Sequence, residues 1–356
     1  MPWRLSRLHA APRAQWRPSQ DKFTTRQLRP GPRYRSTSSQ HQIDNQTNQL
    51  NRPNYNPNNE ESLSDLGHKI VSDYAHLRPK YEIPKLPIVL AHGLLGFDEL
   101  HLLPGNFLPG IAYWRGIREA YESHGIPCIT TAVPRTASIS ERAQVLMDQI
   151  SSKLPTSKDG KGREVNIIAH SMGGLDARYM ISRLCPSPDL FRIRSLTTIA
   201  TPHRGSSAAD MLFRDIGPDL LPHIYRLLSR MKIDYGAFSQ LTTKYMYEHF
   251  NRVVPNHPEV KYFSYGASAT PHLFSAFRIS HGLMDVIEGP NDGLVSVRSS
   301  KWGEYRGTLM GITHLDLINW TNRIKLLAGR LGLIEQTFNA QAFYLAVAEG
   351  LAKEGF

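Results

Sequence analysis

Short aliphatic runs alternate along this chain with longer segments whose apolar residues recur every three or four positions. Such runs predict buried strands, and the amphipathic segments between them predict helices. The predicted strands are residues 88–90, 128–132, 165–169, 196–200 and 260–265. The predicted helices are residues 112–124, 140–154, 173–184 and 336–351. Their alternation indicates an α/β fold, in which helices cover both faces of a mostly parallel sheet.

The composition changes sharply near the start of the chain. Residues 1–35 contain nine Arg or Lys residues and one acid, Asp21, so they carry eight of the eleven net positive charges. This Arg-rich, acid-poor composition is typical of a mitochondrial transit peptide, and a disordered basic tail is the alternative. Residues 36–61 are rich in Asn, Gln, Ser and Pro, which predicts a disordered linker. We therefore expect a folded domain over residues 62–356, with some structure, such as a helix, resuming in residues 62–82.

Charge and cysteine content narrow the function classes. Little net charge remains outside the first 35 residues, so the folded domain does not have the basic surface of a nucleic-acid-binding protein. No apolar stretch reaches the ~18 to 20 residues needed to span a bilayer. Cys128 and Cys185 lie in different segments, which favours a reduced interior. Together with the predicted transit peptide, these features predict a mitochondrial protein that has no nucleic-acid partner.

The clearest chemical signal is the sequence V-N-I-I-A-H-S-M-G-G at residues 165–174. An aliphatic strand is followed there by a turn and a glycine-led helix. Such a turn lifts a serine out of the sheet, at the positive end of the helix dipole. The motif is G-x-S-x-G with Ala169 at its first position. Ser171 is therefore the candidate nucleophile, and a solvated serine in an ordinary strand-to-helix loop is the alternative.

A serine nucleophile also needs hydrogen-bond donors for the oxyanion that forms during acyl transfer. The apolar run at residues 88–90 ends at His92 and Gly93. We expect Gly93 to let the chain turn so that the backbone amides of Leu94 and Met172 form an oxyanion hole. For His92 we expect a structural role in this loop.

The base and the acid should follow the serine in the order Ser, Asp, His. Asp292 lies in an N-D-G turn, and His314 precedes an apolar segment 22 residues later. We interpret these as the acid that orients an imidazole and the base that activates Ser171. Asp285 and His281 are the alternatives for the acid and the base.

Together these motifs resemble the true-lipase family of bacterial triacylglycerol lipases, and most closely its fungal mitochondrial branch. The matching pieces are A-H-G-L-L-G-F-D at residues 91–98, Y-W at 113–114, V-N-I-I-A-H-S-M-G-G at 165–174, A-T-P-H-R-G-S at 200–206, N-D-G-L-V at 291–295 and H-L-D-L-I-N at 314–319. The resemblance covers roughly residues 87–320, with gaps. It implies an α/β-hydrolase fold and the roles given above to Ser171, Asp292 and His314.

The expected function is that of a serine-triad carboxylester hydrolase. The resemblance implies a lipase that releases fatty acids from triacylglycerol or diacylglycerol through an acyl-enzyme. The same triad serves any acyl transfer, so a phospholipase or an acyltransferase is the alternative. A catalytically silent lipid-binding relative is a further alternative, which the presence of all three triad residues disfavours.

The resemblance also bears on whether the chain binds a calcium ion. Bacterial members bind calcium beside the loop of the catalytic histidine, and Asp316 matches one of their ligands. Residues 271–284 contain no carboxylate to supply the other. Calcium requires several oxygen ligands, so we expect no cofactor, and Asp316 is only a weak candidate for a calcium ligand. The alternative for Asp316 is to orient the loop by hydrogen bonds.

A lid would lie in the insertion at residues 206–247. Apolar residues recur at helical spacing in its centre: Leu220, Leu221, Ile224, Leu227, Leu228 and Met231. Family position favours a mobile lid that makes peripheral contact with a lipid surface, where the acylglycerol substrate lies. A helix packed in the core is the alternative.

Overall fold

The computed structural model describes residues 66–94, 113–135, 137–154, 163–214, 235–269, 278–320 and 338–356. Its sheet has seven strands, all paired in parallel, in the spatial order β3-β2-β4-β5-β6-β7-β1. The strands are β1 (Lys69–Ile70), β2 (Ile88–Ala91), β3 (Cys128–Thr130), β4 (Glu164–His170), β5 (Arg192–Ile199), β6 (Lys261–Ser268) and β7 (Glu304–Met310). All five predicted strands are present, with bounds shifted by a few residues.

Helices connect most of these strands. The α-helices of the described residues are α1 (Ile117–Ser123), α2 (Ile139–Lys153), α3 (Gly173–Tyr179), α4 (Ser207–Arg214), α5 (Tyr235–Ser239), α6 (Thr243–Tyr245), α7 (Asn251–Val253), α8 (Arg278–Ile287), α9 (Val297–Ser300) and α10 (Ala340–Lys353). A π-helical turn over Met180–Leu184 follows α3, another over Met246–Phe250 joins α6 to α7, and a 3₁₀ turn covers Asp316–Ile318. Each predicted helix is found, with its bounds shifted at one or both ends.

Both faces of the sheet are buried, as β2 illustrates. Ile88 and Leu90 belong to the apolar cluster that contains α1 and α10, whereas Val89 and Ala91 belong to the cluster that contains α2 and α3. Successive side chains of a strand point to opposite faces, so both sets are apolar only when both faces are covered. This explains why the strand is an uninterrupted aliphatic run.

The first and last strands were not predicted. Strand β7 reads E-Y-R-G-T-L-M and lacks an aliphatic run, and β1 has only two residues. The two pair with each other, Lys69 opposite Thr308 and Ile70 opposite Leu309. The expected helix in residues 62–82 is wrong for the described part, residues 66–82, which forms β1 and turns. Ile70 is buried in the pairing with β7, and Pro79 would interrupt a helix through this segment.

Helix α2 begins at a capping box. The Ser138 hydroxyl accepts a hydrogen bond from the Glu141 amide (3.3 Å), and the Glu141 carboxylate accepts one from the Ser138 amide (3.0 Å). The two side chains satisfy backbone donors that the first turn leaves without partners. The start of α2 is thereby fixed, and with it the position of Arg142 one residue further on.

The described helices include none that is long and apolar enough to cross a membrane. The predicted lid helix falls mostly on residues 215–234, which lie outside the described residues. Helices α4, α5 and α6 flank that segment in the chain.

Candidate active site

Ser171 lies in the turn between β4 and α3, with a φ of 55°. This left-handed conformation costs a residue with a side chain on the order of 1 to 3 kcal/mol, so the surrounding structure must hold it. The Ser171 amide donates to the Ile199 carbonyl (3.0 Å), and the Ser171 carbonyl accepts from the Thr201 hydroxyl (2.8 Å) and the Gly174 amide (3.1 Å). The end of β5 and the start of α3 therefore fix the turn.

Two glycines allow the neighbouring loop to approach this turn. A Cβ at Gly93 would lie 2.7 Å from the Cβ of Ser171, and a Cβ at Gly173 would lie 2.6 Å from the carbonyl oxygens of Ala91 and His92. Gly93 does not have a positive φ, so a left-handed backbone is not the reason for glycine at this position. The position requires glycine because of close packing against the serine.

The structure brings Asp292 and His314 together. His314 Nδ1 lies 2.7 Å from Asp292 Oδ2, and the His314 amide donates to the Asp292 carbonyl (3.0 Å). The other carboxylate oxygen of Asp292 accepts from the amides of Leu294 (3.0 Å) and Val295 (2.8 Å). Both side chains are buried. A carboxylate held by two backbone amides is fixed in place and can orient the imidazole beside it.

This pair lies against the serine turn. The ring of His314 is 4.5 Å from the ring of His170, centroid to centroid, and His170 directly precedes Ser171. Within the described residues the Ser171 hydroxyl makes no hydrogen bond to another side chain. The hydroxyl is therefore not engaged elsewhere, and serine–base contacts in free enzymes are often long.

The backbone amide of Met172 directly follows Ser171 in the sequence, and that of Leu94 lies in the loop that packs on the serine turn. Neither amide donates a hydrogen bond to any acceptor in the described part of the chain. Met172 is fully buried and immediately precedes α3, and Leu94 follows Gly93, which packs on Ser171. Two unpaired donors beside a half-buried serine form the arrangement that an oxyanion hole requires.

A fully buried arginine holds the loop that carries Leu94. Arg142 donates to the carbonyls of His92 (2.9 Å), Gly93 (3.2 Å) and Pro134 (2.6 Å), and its Nη2 lies 2.7 Å from Asp176 of α3. Burial raises the pKa of Asp176 to about 6, and the charge of Arg142 opposes that rise. The arginine thus links the loop after β2 to the helix after Ser171.

His92 has the hydrogen bonds of a structural residue. Its Nε2 accepts from the Val133 amide (3.1 Å), and its Nδ1 lies 2.9 Å from the Gly93 carbonyl. Burial, with the charge of Arg142 as a second cause, lowers its pKa to about 4. Because both ring nitrogens of the neutral His92 make hydrogen bonds, this side chain supports the loop and is not available as a base.

The alternative acid and base do not meet. Asp285 is exposed on α8, and its backbone carbonyl accepts from the Gly289 amide. His281 is on the same helix, and its described contact is a backbone one, a carbonyl that accepts from Asn291 Nδ2 (3.3 Å). The structure pairs His314 with Asp292.

Asp316 braces the loop of His314. Its carboxylate accepts from the Thr313 amide (3.0 Å) and the Thr313 hydroxyl (2.7 Å). Among the residues that the structure describes, no group of three or more His, Cys, Asp or Glu side chains is arranged to hold a metal ion. These contacts suit the loop-orienting role of Asp316.

Sequence reasoning missed Arg142 and gave no role to Tyr113 or His170. A signal for Arg142 was present, because it lies on the apolar face of α2 with Ile139, Leu146 and Ile150. A charged residue within an apolar stripe is buried only when it has partners. The Tyr113 contact joins residues 57 positions apart and has no local signal.

Comparison with known proteins agrees with this geometry. Residues 131–234 match the family described as "Putative serine esterase (DUF676)". The chain is 39% identical to Triacylglycerol lipase 2 of Saccharomyces cerevisiae over 81% of its length and 97% of the yeast protein. It is 29% identical to Triacylglycerol lipase of Vibrio cholerae over 70% of its length and 84% of that protein.

The chain belongs to the triacylglycerol lipase family. It is a serine lipase, a carboxylic ester hydrolase with the α/β-hydrolase fold, as the resemblance implied. The fold is shared with Staphylococcus hyicus lipase, whose crystal structure matches with a TM-score of 0.55 at 21% identity, over 78% of this chain and 98% of that one.

Proposed function

We propose that Ser171 is the nucleophile of this lipase, His314 its base and Asp292 the acid that orients the base. One observation carries the assignment: the Asp292–His314 pair, 2.7 Å apart, lies against the strained turn that presents Ser171. Because Nδ1 of His314 faces the carboxylate, Nε2 is the nitrogen left for the serine proton.

The reaction then proceeds in two steps, acylation and deacylation of Ser171. His314 takes the Ser171 proton while the serine oxygen attacks the ester carbonyl, and the amides of Leu94 and Met172 stabilise the oxyanion by about 3 to 4 kcal/mol per donor. The alcohol leaves with the proton from His314. Water, deprotonated by the same histidine, attacks the acyl-enzyme and releases the fatty acid. None of these steps uses a metal ion, so we propose that catalysis needs no cofactor.

The proposed substrates are triacylglycerol and diacylglycerol at a lipid surface, since both curated relatives reported above are triacylglycerol lipases. We propose peripheral contact through a lid within residues 206–247. Helix α8 supports such contact, because Leu283, Val286 and Ile287 lie on one face and are 44%, 86% and 53% exposed. Val286→Asp should lower binding to glyceride emulsions without changing hydrolysis of a soluble ester. Unchanged emulsion binding would contradict this contact.

The chain is proposed to act in mitochondria, with residues 1–35 as the transit peptide, 36–61 as the linker and 62–356 as the hydrolase domain. The Arg-rich composition of the first segment supports this. We propose no nucleic-acid partner, because most of the positive charge lies in that segment. A fluorescent reporter fused to residues 1–35 should enter mitochondria, and a cytosolic signal would contradict the proposal.

The test of function is product analysis with Ser171→Ala and a matched control, Ser152→Ala. Ser152 is an exposed serine on α2, so its loss should leave activity unchanged. Emulsified triacylglycerol, emulsified diacylglycerol and phospholipid vesicles are each offered to the full chain. We expect Ser171-dependent release of fatty acid from the neutral glycerides.

Other outcomes would redirect the proposal. Release from phospholipid alone would indicate a phospholipase. Transfer of the acyl group to an added alcohol in preference to water would indicate an acyltransferase. Full activity of Ser171→Ala would contradict the assigned nucleophile.

A further inference from the structure

A second histidine lies beside the proposed base, and the mechanism above does not use it. His170 is fully buried at the end of β4, and its ring is tilted by 43° against the ring of His314 at 4.5 Å. Its ring therefore contacts the ring of His314 on the loop after β7. A histidine in this place restricts where the His314 ring can lie.

Tyr113 determines the protonation of His170. The Tyr113 oxygen accepts a hydrogen bond from the Gly93 amide (3.1 Å) and lies 2.6 Å from His170 Nδ1. A buried phenol proton needs an acceptor, and in the described residues the only one at the Tyr113 hydroxyl is Nδ1. Tyr113 therefore donates to His170, which must carry its own proton on Nε2.

Both members of the Tyr113–His170 pair are neutral. Burial lowers the pKa of His170 well below its ordinary value and the nearby charge of His314 also lowers it, while a backbone group of His314 opposes the fall. Burial raises the pKa of Tyr113 above its ordinary value, and the Gly93 amide and Arg142 oppose the rise. Neither group exchanges a proton near neutral pH, so the pair is unsuited to act as a second base.

The second ring nitrogen of His170 lies near the backbone of His314. This Nε2 is buried and makes no close hydrogen bond within the described residues, and the backbone of His314 is near enough to affect the His170 pKa. An unpaired buried donor costs about 1 to 3 kcal/mol, which a purely structural position would avoid with an apolar residue. A role of the His170 ring in positioning His314 would account for this cost.

We propose that Tyr113 and His170 form a positioning pair that couples the oxyanion loop to the base. Through its hydroxyl, Tyr113 holds the Gly93 amide and sets the tautomer of His170, and the His170 ring holds the imidazole of His314. Placement of the Leu94 amide and placement of His314 then depend on one another. The inference rests on the roles proposed for Ser171 and His314.

The test measures how fast a serine-directed phosphonate labels Ser171 and how many sites are labelled. The rate per labelled site reports the placement of base and oxyanion donors, whereas the number of sites reports folding. In Tyr113→Phe and in His170→Leu we expect labelling about 10- to 100-fold slower per site, as misplaced catalytic groups produce. The double variant should be no slower than His170→Leu, because paired residues act as one unit.

Tyr121→Phe is the matched control. It removes another buried tyrosine hydroxyl, which donates to the Tyr344 carbonyl (2.8 Å) on α10. We expect it to lower thermal stability and to leave the labelling rate per site unchanged. His170→Asn can still accept from Tyr113 but lacks the ring beside His314, so it should also label slowly.

Three results would contradict the proposal. Wild-type rates per site in Tyr113→Phe and His170→Leu, even with fewer sites, would mean that the pair serves folding alone. Rate losses that add in the double variant would mean that the two residues act independently. Failure of the wild-type chain to label at Ser171 would instead contradict the proposed nucleophile.

Discussion

Ser171 and the amides beside it lie where strands β2 and β4 end, whereas Asp292 and His314 lie in loops after α8 and β7. We call Ser171 and these amides the nucleophile half of the site, and Asp292 and His314 the acid–base half. Main-chain hydrogen bonds, close-packed glycines and the buried Arg142 fix the nucleophile half. The acid–base half is fixed by short-range bonds between side chains and nearby amides, such as those of Asp292 and Asp316. The nucleophile half therefore shares its stability with the core, and the acid–base half can change with less effect on folding.

The largest expected effect separates activity from stability in the acid–base half. Asp292→Asn keeps an oxygen for the amides of Leu294 and Val295 but no longer fixes the tautomer of His314. We expect kcat to fall about 10⁴-fold, as in a comparable triad, with little change in the free energy of unfolding. Asp285→Asn is the control and should retain wild-type kcat. Equal kcat values for the two variants would contradict the assigned acid.

A smaller effect is expected in the nucleophile half, on stability. Arg142→Leu leaves the Asp176 carboxylate buried without its partner and should cost about 3 to 5 kcal/mol of unfolding free energy. Arg118→Leu removes an exposed pair with Glu122 and should cost less than about 1 kcal/mol. Urea unfolding measures both. The double variant with Asp176→Leu should recover the part of the loss that the buried carboxylate causes, although the carbonyls of His92, Gly93 and Pro134 stay without their donor. No recovery at all would mean that the carboxylate is not a cause.

The smallest effect, per residue, is a dependence of stability on pH. Burial lowers the pKa of His92 to about 4 and that of His170 and His203 well below the ordinary value. The folded chain keeps these rings neutral, while the unfolded chain takes up protons below about pH 6.5. Stability should therefore fall as pH falls through this range, by up to about 1.4 kcal/mol per unit for each histidine.

Asp176 opposes this trend at lower pH. Its raised pKa, about 6, means that the folded chain binds its proton more tightly than the unfolded chain does, which adds stability as pH falls from 6 towards 4. One carboxyl against three histidines leaves a net loss. Urea unfolding at pH 7, 6 and 5 should show it, and constant or rising stability towards pH 5 would contradict the neutral histidines.

Much of the fold was predictable because it is encoded locally. Strands such as β2 are buried on both faces and so read as aliphatic runs, and the turn at Ser171 needs small residues at fixed positions. Strand β7 was missed because only its second half is buried and because it includes Arg306 and Gly307. Strand β1 was missed because two residues are too few to show an alternating pattern of apolar and polar side chains, and because its partner strand lies more than 200 positions away.

In the candidate site, too, some features were predictable from the sequence and others were not. The chain order of Ser171, Asp292 and His314 is visible in sequence, and the structure brings the last two into contact. The contacts that position them are not visible, since Arg142 meets His92 and Tyr113 meets His170 only after the sheet has formed. The reason that residue 93 is glycine also required the structure, because it depends on the distance to Ser171.

The central claim is that Ser171, His314 and Asp292 act as one catalytic unit beside the amides of Leu94 and Met172. A crystal structure of the full chain inactivated by an alkyl phosphonate tests this most directly. We predict phosphorus bonded to Ser171 Oγ, a phosphonyl oxygen that accepts from both amides, and His314 Nε2 within hydrogen-bond reach of the adduct. Phosphorus on another residue, or a phosphonyl oxygen directed away from both amides, would contradict the account.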